Sequence, residues 1–368
     1  MKGLRLSQIV ADGRPGGGST VVLGLVDHLA GAAAELVLVS QPGSYLEQQA
    51  RRRGVDFIGV DFFGQPGDPR ITQRLARALA GRRFDLTHLH GLRAAHYVAG
   101  LPARVPGRLV YTVHGLHQLH LPGPLRWLAN VAERRVMRRV DARVFVSHAD
   151  LGAARRHALL AACAEAEVIH NGVDVQALRS HARAERDVDV AFVGRLDRPK
   201  GPLAAARVLA ALAAEGRRCV LAGDGPLRDA THRALQATPG GRQVRCVGAL
   251  PHDQALALVA SARVLIMPSL WEGLPLLPME AMALGVPVVA TRSPGTAEVI
   301  DDGRTGVLVA SGDECALTQQ VRGLLGDEQR WRTLQANGLQ RVGEAFGQVR
   351  CLSEYEALYE RVLGSPAR

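Results

Sequence analysis

Thirteen short apolar or β-branched runs, separated by Ala-, Leu- and Arg-rich stretches of helical character, constrain this chain more than any other feature. Seven come first: LRLSQIV (4–10), ELVLVS (35–40), VDFIGV (55–60), DLTHLH (85–90), RLVYTVH (108–114), ARVFVS (142–147) and AEVIH (166–170). The pattern then restarts with VDVAFVG (188–194), RCVLAG (218–223), QVRCVG (243–248), ARVLIMPS (262–269), PVVAT (287–291) and GVLV (306–309). Strands that are apolar along their length and alternate with helices are buried on both faces, as in parallel sheets. Two such series predict an α/β protein of two doubly wound domains, joined near residues 172–188, where apolar periodicity is lost. Ligands in such sheets sit at the carboxyl ends of strands, so the residues after each strand are the ones to weigh.

The 368 residues suit two domains, each of about 150–200 residues. A hydrophobic content of 47% and a charged content of 22% exclude a disordered chain. No stretch approaches ~20 uninterrupted apolar residues, and the N-terminus suits a first strand better than a secretory leader. The cysteines at 163, 219, 246, 315 and 351 form no CxxC pair, so free thiols in a reducing cytoplasm, with no zinc site, are expected.

Net charge is +10, and the excess lies in the first half, where residues 1–177 hold 22 Lys/Arg against 14 Asp/Glu. It is dense in RWLANVAERRVMRRV (126–140), which as a helix places Trp127, Leu128, Val131 and Val140 near one side beside Arg134, Arg135, Arg138 and Arg139. Such a helix is either a solvated surface element or a face resting on anionic lipid headgroups. An aromatic content of 4% and the lack of a recognisable module argue against nucleic acid.

Only two of the 45 cations are lysines, Lys2 and Lys200. Lys200 falls in FVGRLDRPKG (192–201), where a strand ends, Gly194 permits a turn, and Arg195 and Lys200 occupy the loop before a helix. Two cations at a strand's carboxyl end imply an anion; a compact ammonium delivers a point charge where a guanidinium needs a broad, bidentate partner. In PSLWEGLPLLPMEAMALGVPVVAT (268–291), Glu272 lies in a loop, Pro275 and Pro278 suit the first turn of a helix, and Glu280 follows about one turn in. Amides at that helix start favour an anion, and the two carboxylates flanking them suit hydroxyl recognition, a sugar on one side and a ribose on the other. The glycines Gly16, Gly17 and Gly18 after the first strand let amides approach a phosphate, with Ser19 or Thr20 as a helix cap. A dinucleotide fingerprint fails here: position 21 is Val, and the second strand ends in Ser40 rather than an acid.

These residues resemble the retaining family 4 glycosyltransferases of the GT-B fold, also described as group 1 glycosyl transferases. The resemblance runs from IVADGRPGGG through DLTHLHG, YTVHG, VFVSHA and VIHNGVD to FVGRLDRPKG, LAGDGPLR, VGALPHD, the Glu272-x7-Glu280 stretch and SPGTAEVIDDGRTGVLV, in the family's order. The stretch PGTAE, with Thr296 and Ala297, departs from the family's GGxPE. The resemblance implies two Rossmann-like domains facing across a cleft: an acceptor-binding domain over 1–177, completed by a crossing helix in 345–368, and a nucleotide-sugar domain over 178–344.

By the same resemblance Arg195 and Lys200 hold the donor diphosphate, Glu280 the ribose, and Glu272 the transferred sugar. Val247 and Leu250 line the base, while Gly194, Gly223, Gly273, Leu274 and Leu276 border sugar and phosphate. Gly16 and Gly17 approach the pyrophosphate, and His114 faces sugar and acceptor. His114, Glu272, Arg195 and Lys200 would then carry catalysis without metal or other cofactor, using a UDP- or GDP-linked hexose. A glycan or lipid-linked acceptor, in cell-surface polysaccharide or lipopolysaccharide synthesis, is implied, with the protein cytoplasmic and able to rest on an anionic membrane. Two rivals are a sugar-nucleotide epimerase and a non-catalytic nucleotide-sugar-binding subunit. A metal cluster among His88, His90, His114, His117 and His120 is disfavoured because no carboxylate or thiolate accompanies them. Asp187 and Asp189 precede a strand, away from any bound donor.

Overall fold

Each apolar run forms a strand in the computed structural model, which describes residues 3–64, 68–101, 107–161, 164–183 and 185–365; Lys2 and Cys163 lie outside them. The first series gives β1 (Arg5–Val10), β2 (Glu35–Ser40), β3 (Asp56–Gly59), β4 (Leu86–His90), β5 (Arg108–Val113), β6 (Ala142–Phe145) and β7 (Glu167–Val168). The second gives β8 (Val188–Val193), β9 (Cys219–Ala222), β10 (Arg245–Gly248), β11 (Ala262–Met267), β12 (Val288–Thr291) and β13 (Val307–Val309). All pairings are parallel, in the orders β3-β2-β1-β4-β5-β6-β7 and β10-β9-β8-β11-β12-β13. A parallel strand has helices on both sides, which is why β2 and β5 each bury five residues in succession instead of alternating.

The chain divides into two compact units, Met1–Asn171 with Val349–Arg368, and Gly172–Gln348. Each has its own core. Ile9, Val37, Leu89, Tyr111 and Phe145 belong to the first, and Val190, Leu221, Val264, Ile266 and Trp331 to the second. In both sheets the chain winds outward from one strand and then returns to the strand's other side. That reversal falls between β1 and β4 in the first unit and between β8 and β11 in the second. At such a point the loops leave in opposite directions and open a crevice at the strands' carboxyl ends.

The last helix, Gln348–Gly364, packs on the first unit's sheet. Tyr355 and Tyr359 are fully buried there, and their hydroxyls reach Thr112 of β5 (3.1 Å), His88 of β4 (2.5 Å) and Gln8 of β1 (3.4 Å).

The basic helix extends over Gly123–Arg139. Trp127, Leu128 and Val131 are exposed as expected, but Val140 is buried: it follows the helix and turns into the core. The buried face, Glu133, Val136 and Met137, includes a carboxylate that sequence periodicity hides. Glu133 is wholly buried and accepts hydrogen bonds from the Tyr111 hydroxyl (2.9 Å) and the Gln118 amide (3.1 Å). Burial, opposed by these two bonds, raises its pKa from the ordinary 4.5 to about 7. The folded state therefore holds a proton that the unfolded state releases above pH ~4.5, so this group's contribution to stability falls as pH rises from 4.5 to 7. Glu133→Gln should gain about 3 kcal/mol relative to wild type between pH 4.5 and pH 7.5. Urea midpoints of both proteins at the two pH values measure this; an unchanged difference refutes the buried acid.

Candidate active site

In the second unit the predicted residues gather at the carboxyl ends of the four adjacent strands β10, β9, β8 and β11. Arg195 and Lys200 follow β8, Gly223 follows β9, Val247 and Leu250 lie at the end of β10, and Glu272 follows β11. Lys200 and Glu272 thus come from the two sides of the winding reversal, and they meet. The ammonium lies 2.7 and 2.9 Å from the two carboxylate oxygens. The resemblance assigns Lys200 to the donor diphosphate; in this structure it holds Glu272, whose side chain is only 9% exposed. A near-buried carboxylate needs a counter-charge close by, and the loop after β8 supplies it. An ammonium has three donors, so two bonds to Glu272 leave one for an incoming anion.

The turn that presents Lys200 is tightly built. Gly201 is left-handed (φ 61°), and a Cβ there would lie 2.1 Å from the Pro268 carbonyl oxygen. The loop after β8 is thereby pressed against the end of β11, which brings Lys200 to Glu272. Gly223 sits at φ 150° with room for no Cβ beside the Gly194 carbonyl oxygen, at 1.9 Å. Arg195 does not join the Lys200 pair: it is half-exposed and bound to Asp197 at 2.9 Å.

The helix Leu276–Ala283 begins after Pro275 with no side chain capping it. Its first amides, on Leu276 and Leu277, are therefore available to an anion, while Pro278 contributes none. The side chains of Leu274 and Leu276 are core residues, so any contact to ligand here comes from backbone. Glu280 lies within this helix and is 8% exposed. Burial raises its pKa, and the nearby His252 imidazole, 3.8 Å away, acts in the opposite direction. His252 was not singled out from the sequence; the only signal was its place directly after VGALP. Asp189 lies within β8 and is tied to Arg218, whose amide donates to it at 2.8 Å.

In the first unit Gly16 caps the helix Gly17–Ala30 through backbone alone. The expected hydroxyl cap is not formed: the Ser19 hydroxyl donates to the Arg14 carbonyl and that of Thr20 to the Gly16 carbonyl. A Cβ at Gly16 would meet nothing within 4 Å, so the helix start is open to solvent. His114, just beyond β5, is half-buried, with Nε2 3.0 Å from Nδ1 of His90. Burial, then the charge of His117, lowers its pKa to about 4. His88, by contrast, is fully buried between Tyr359 and Thr112. It is a core residue, and no ligand can reach it. Among the described residues no three His, Cys, Asp or Glu side chains gather as metal ligands would.

Two parallel doubly wound units, each with an open helix start at its strand ends and the second carrying a part-buried Lys–Glu pair there, define the GT-B class. The solved structures agree in fold. Sucrose-phosphate synthase from Thermosynechococcus elongatus superposes with a TM-score of 0.83 at 20% identity, covering 99% of this chain and all of that one. Anabaena HepE in complex with UDP-glucose gives 0.81 at 19% identity, over 97% of this chain and all of that one. The family model described as Glycosyltransferase Family 4 matches residues 15–177, and the one described as Glycosyl transferases group 1 matches residues 176–341. A glycogen synthase from Mycobacterium tuberculosis is 31% identical over 67% of this chain and 61% of its own length, so this chain spans less than two thirds of that relative. The chain belongs to the family 4, group 1, glycosyltransferases.

Replacing Gly201 by Ala forces a left-handed residue with a Cβ against Pro268, at a cost of about 1–3 kcal/mol. Chemical denaturation should show that loss; stability equal to wild type would mean the turn is not held as described.

Proposed function

We propose that this chain is a retaining glycosyltransferase that moves a hexosyl-type sugar from a UDP- or GDP-linked donor to a glycan or glycolipid acceptor. The observation that carries the reading is the pairing of Lys200 with both oxygens of Glu272 at the winding reversal, 2.7 and 2.9 Å apart. When the sugar leaves, negative charge grows on the diphosphate. The remaining donor of Lys200, the guanidinium of Arg195 and the amides of Leu276 and Leu277 stabilise that charge where it develops. These groups supply the positive charge from the protein itself, so no metal ion is needed. Glu272, fixed by Lys200, accepts hydrogen bonds from hydroxyls of the transferred sugar, and Glu280 does the same for the ribose. Val247 and Leu250 border the base, Gly16 and Gly17 approach the phosphates, and His114 takes a sugar hydroxyl.

The acceptor side is the basic first unit. Among the described residues, five of the eight exposed large hydrophobics are Leu121, Leu125, Trp127, Leu128 and Val131. Residues 121–128 are exposed without interruption, so the first turns of the basic helix project from the surface. Arg126, Arg135 and Arg138 are exposed beside them, and none is in an ion pair among the described residues. Trp with apolar neighbours at the tip and cations behind it matches the boundary between acyl chains and anionic headgroups. No helix among the described residues is long and apolar enough to cross a membrane. In this reading the protein works in the cytoplasm and reaches a lipid-linked or anionic acceptor at the membrane surface through the exposed helix tip.

Lys200→Ala should lose on the order of a hundredfold or more in turnover with the preferred donor, the scale of one lost charge-stabilising group, measured on protein shown to be folded by circular dichroism. The donor is found by thermal stabilisation with UDP-, GDP- and ADP-sugars, where a ligand at 100 times its Kd adds about 2.7 kcal/mol. Unchanged initial rates in Lys200→Ala, or stabilisation by none of the sugar nucleotides, refutes the donor site. Sedimentation with vesicles containing phosphatidylglycerol should decline with salt and with Trp127→Glu, while neutral vesicles bind little. Equal recovery of Trp127→Glu and wild type excludes the helix tip as the lipid contact.

A further inference from the structure

Parallel register places Gln8 opposite His88, and His90 opposite Thr112, so four polar residues of three adjacent strands lie on one buried sheet face. Gln8, His88 and Thr112 are fully buried, and His90 is 3% exposed. Each polar atom must therefore find a partner inside the protein. They form one connected set. The Gln8 oxygen lies 2.8 Å from His90 Nε2, and His90 Nδ1 lies 3.0 Å from His114 Nε2. On the other side the Gln8 nitrogen donates to the Tyr359 hydroxyl (3.4 Å). That hydroxyl lies 2.5 Å from His88 Nδ1, and His88 Nε2 lies 2.7 Å from the Thr112 hydroxyl.

Such a set has a direction. Burial holds all three imidazoles well below their ordinary pKa, and each is neutral at pH 7, with one donor nitrogen and one acceptor nitrogen. A carboxamide oxygen only accepts, so His90 carries its proton on Nε2 and offers a lone pair at Nδ1. His114 must then donate from Nε2. Its Nδ1 is left as an acceptor, with no hydrogen-bond partner among the described residues. Turning the amide over would reverse every bond on both sides of Gln8 and convert His114 Nδ1 from acceptor to donor.

We propose that Gln8, buried in the first strand, is a positioning residue that sets the tautomer of His114 through His90, so that His114 presents an acceptor nitrogen to a sugar hydroxyl. This rests on the reading of His114 as a sugar-facing residue. Gln8 touches no substrate; it acts through two rings. The hydroxyls of Tyr355 and Tyr359 complete the same network, so the C-terminal helix closes the buried face that Gln8 organises.

The near-isosteric change Gln8→Met removes the acceptor for His90. A buried imidazole N–H without an acceptor is costly, so His90 moves its proton to Nδ1 and donates to His114 Nε2. His114 then carries its own proton on Nδ1. Long-range 15N–1H correlation spectra of the unliganded protein, with His114 assigned by its loss in His114→Gln, read this directly. The expected result is Nε2–H at His114 in wild type and in Tyr359→Phe, which alters only the opposite side of Gln8, and Nδ1–H in Gln8→Met. With the donor identified, Gln8→Met should lose on the order of tenfold in kcat with donor KM within about twofold, the scale of one neutral hydrogen bond.

Nδ1–H at His114 in wild type, a switch in Tyr359→Phe, or Nε2–H retained in Gln8→Met overturns the proposal. Should Gln8→Met fail to fold, the wild-type and Tyr359→Phe spectra still decide it. Tautomers as stated in a protein that transfers no sugar would refute the function, not the role of Gln8.

Discussion

Glu272 can remain nearly buried only because an ammonium stands against both its oxygens. The second unit is arranged around that requirement. The sheet reverses its winding between β8 and β11, the left-handed Gly201 lets the loop after β8 press on the Pro268 carbonyl, and Lys200 arrives at the end of β11. A guanidinium at position 200 would spread its charge over a plane, whereas the ammonium meets both oxygens as a compact point charge and keeps a third donor. The single described lysine of an otherwise Arg-using chain is thus explained by geometry rather than by charge.

The first unit solves a related problem without charge. Its winding reversal carries a buried amide, imidazoles and hydroxyls, all neutral and all bonded to one another. Neutral networks avoid the desolvation cost of ions but gain a property ions lack: each bond has a direction, and one carboxamide can impose that direction on the rest. The C-terminal helix belongs to the same arrangement. Without Tyr359 the His88 Nδ1 and the Gln8 amide nitrogen would lose the hydroxyl that both meet, and without Tyr355 the Thr112 hydroxyl would lose a partner.

The same accounting separates the histidines. His88 and His90 are two residues apart on one strand and look equivalent in sequence, yet His88 is sealed against Tyr359 while His90 reaches out to His114. Only His114 lies beyond the strand's end, where the sheet's hydrogen bonding has stopped and a side chain is half-exposed. Glu133 shows the opposite outcome. It sits in the most basic stretch of the chain, yet it turns inward to Tyr111 and Gln118 and away from the arginines.

The sequence by itself determined the thirteen strands, their parallel pairing and the loops that carry Arg195, Lys200 and Glu272, because these depend on local periodicity and on where each apolar run stops. The glycine loop after β1, the proline-flanked helix start before Glu280 and the projecting Trp127 face were legible for the same reason. Only the tertiary structure decided which polar groups meet. The Lys200–Glu272 pair joins residues 72 apart, His252 approaches Glu280 from another helix, and Gln8 reaches Tyr359 across 351 residues. Those meetings are set by strand order and register, which bring distant segments side by side, and no local pattern encodes them.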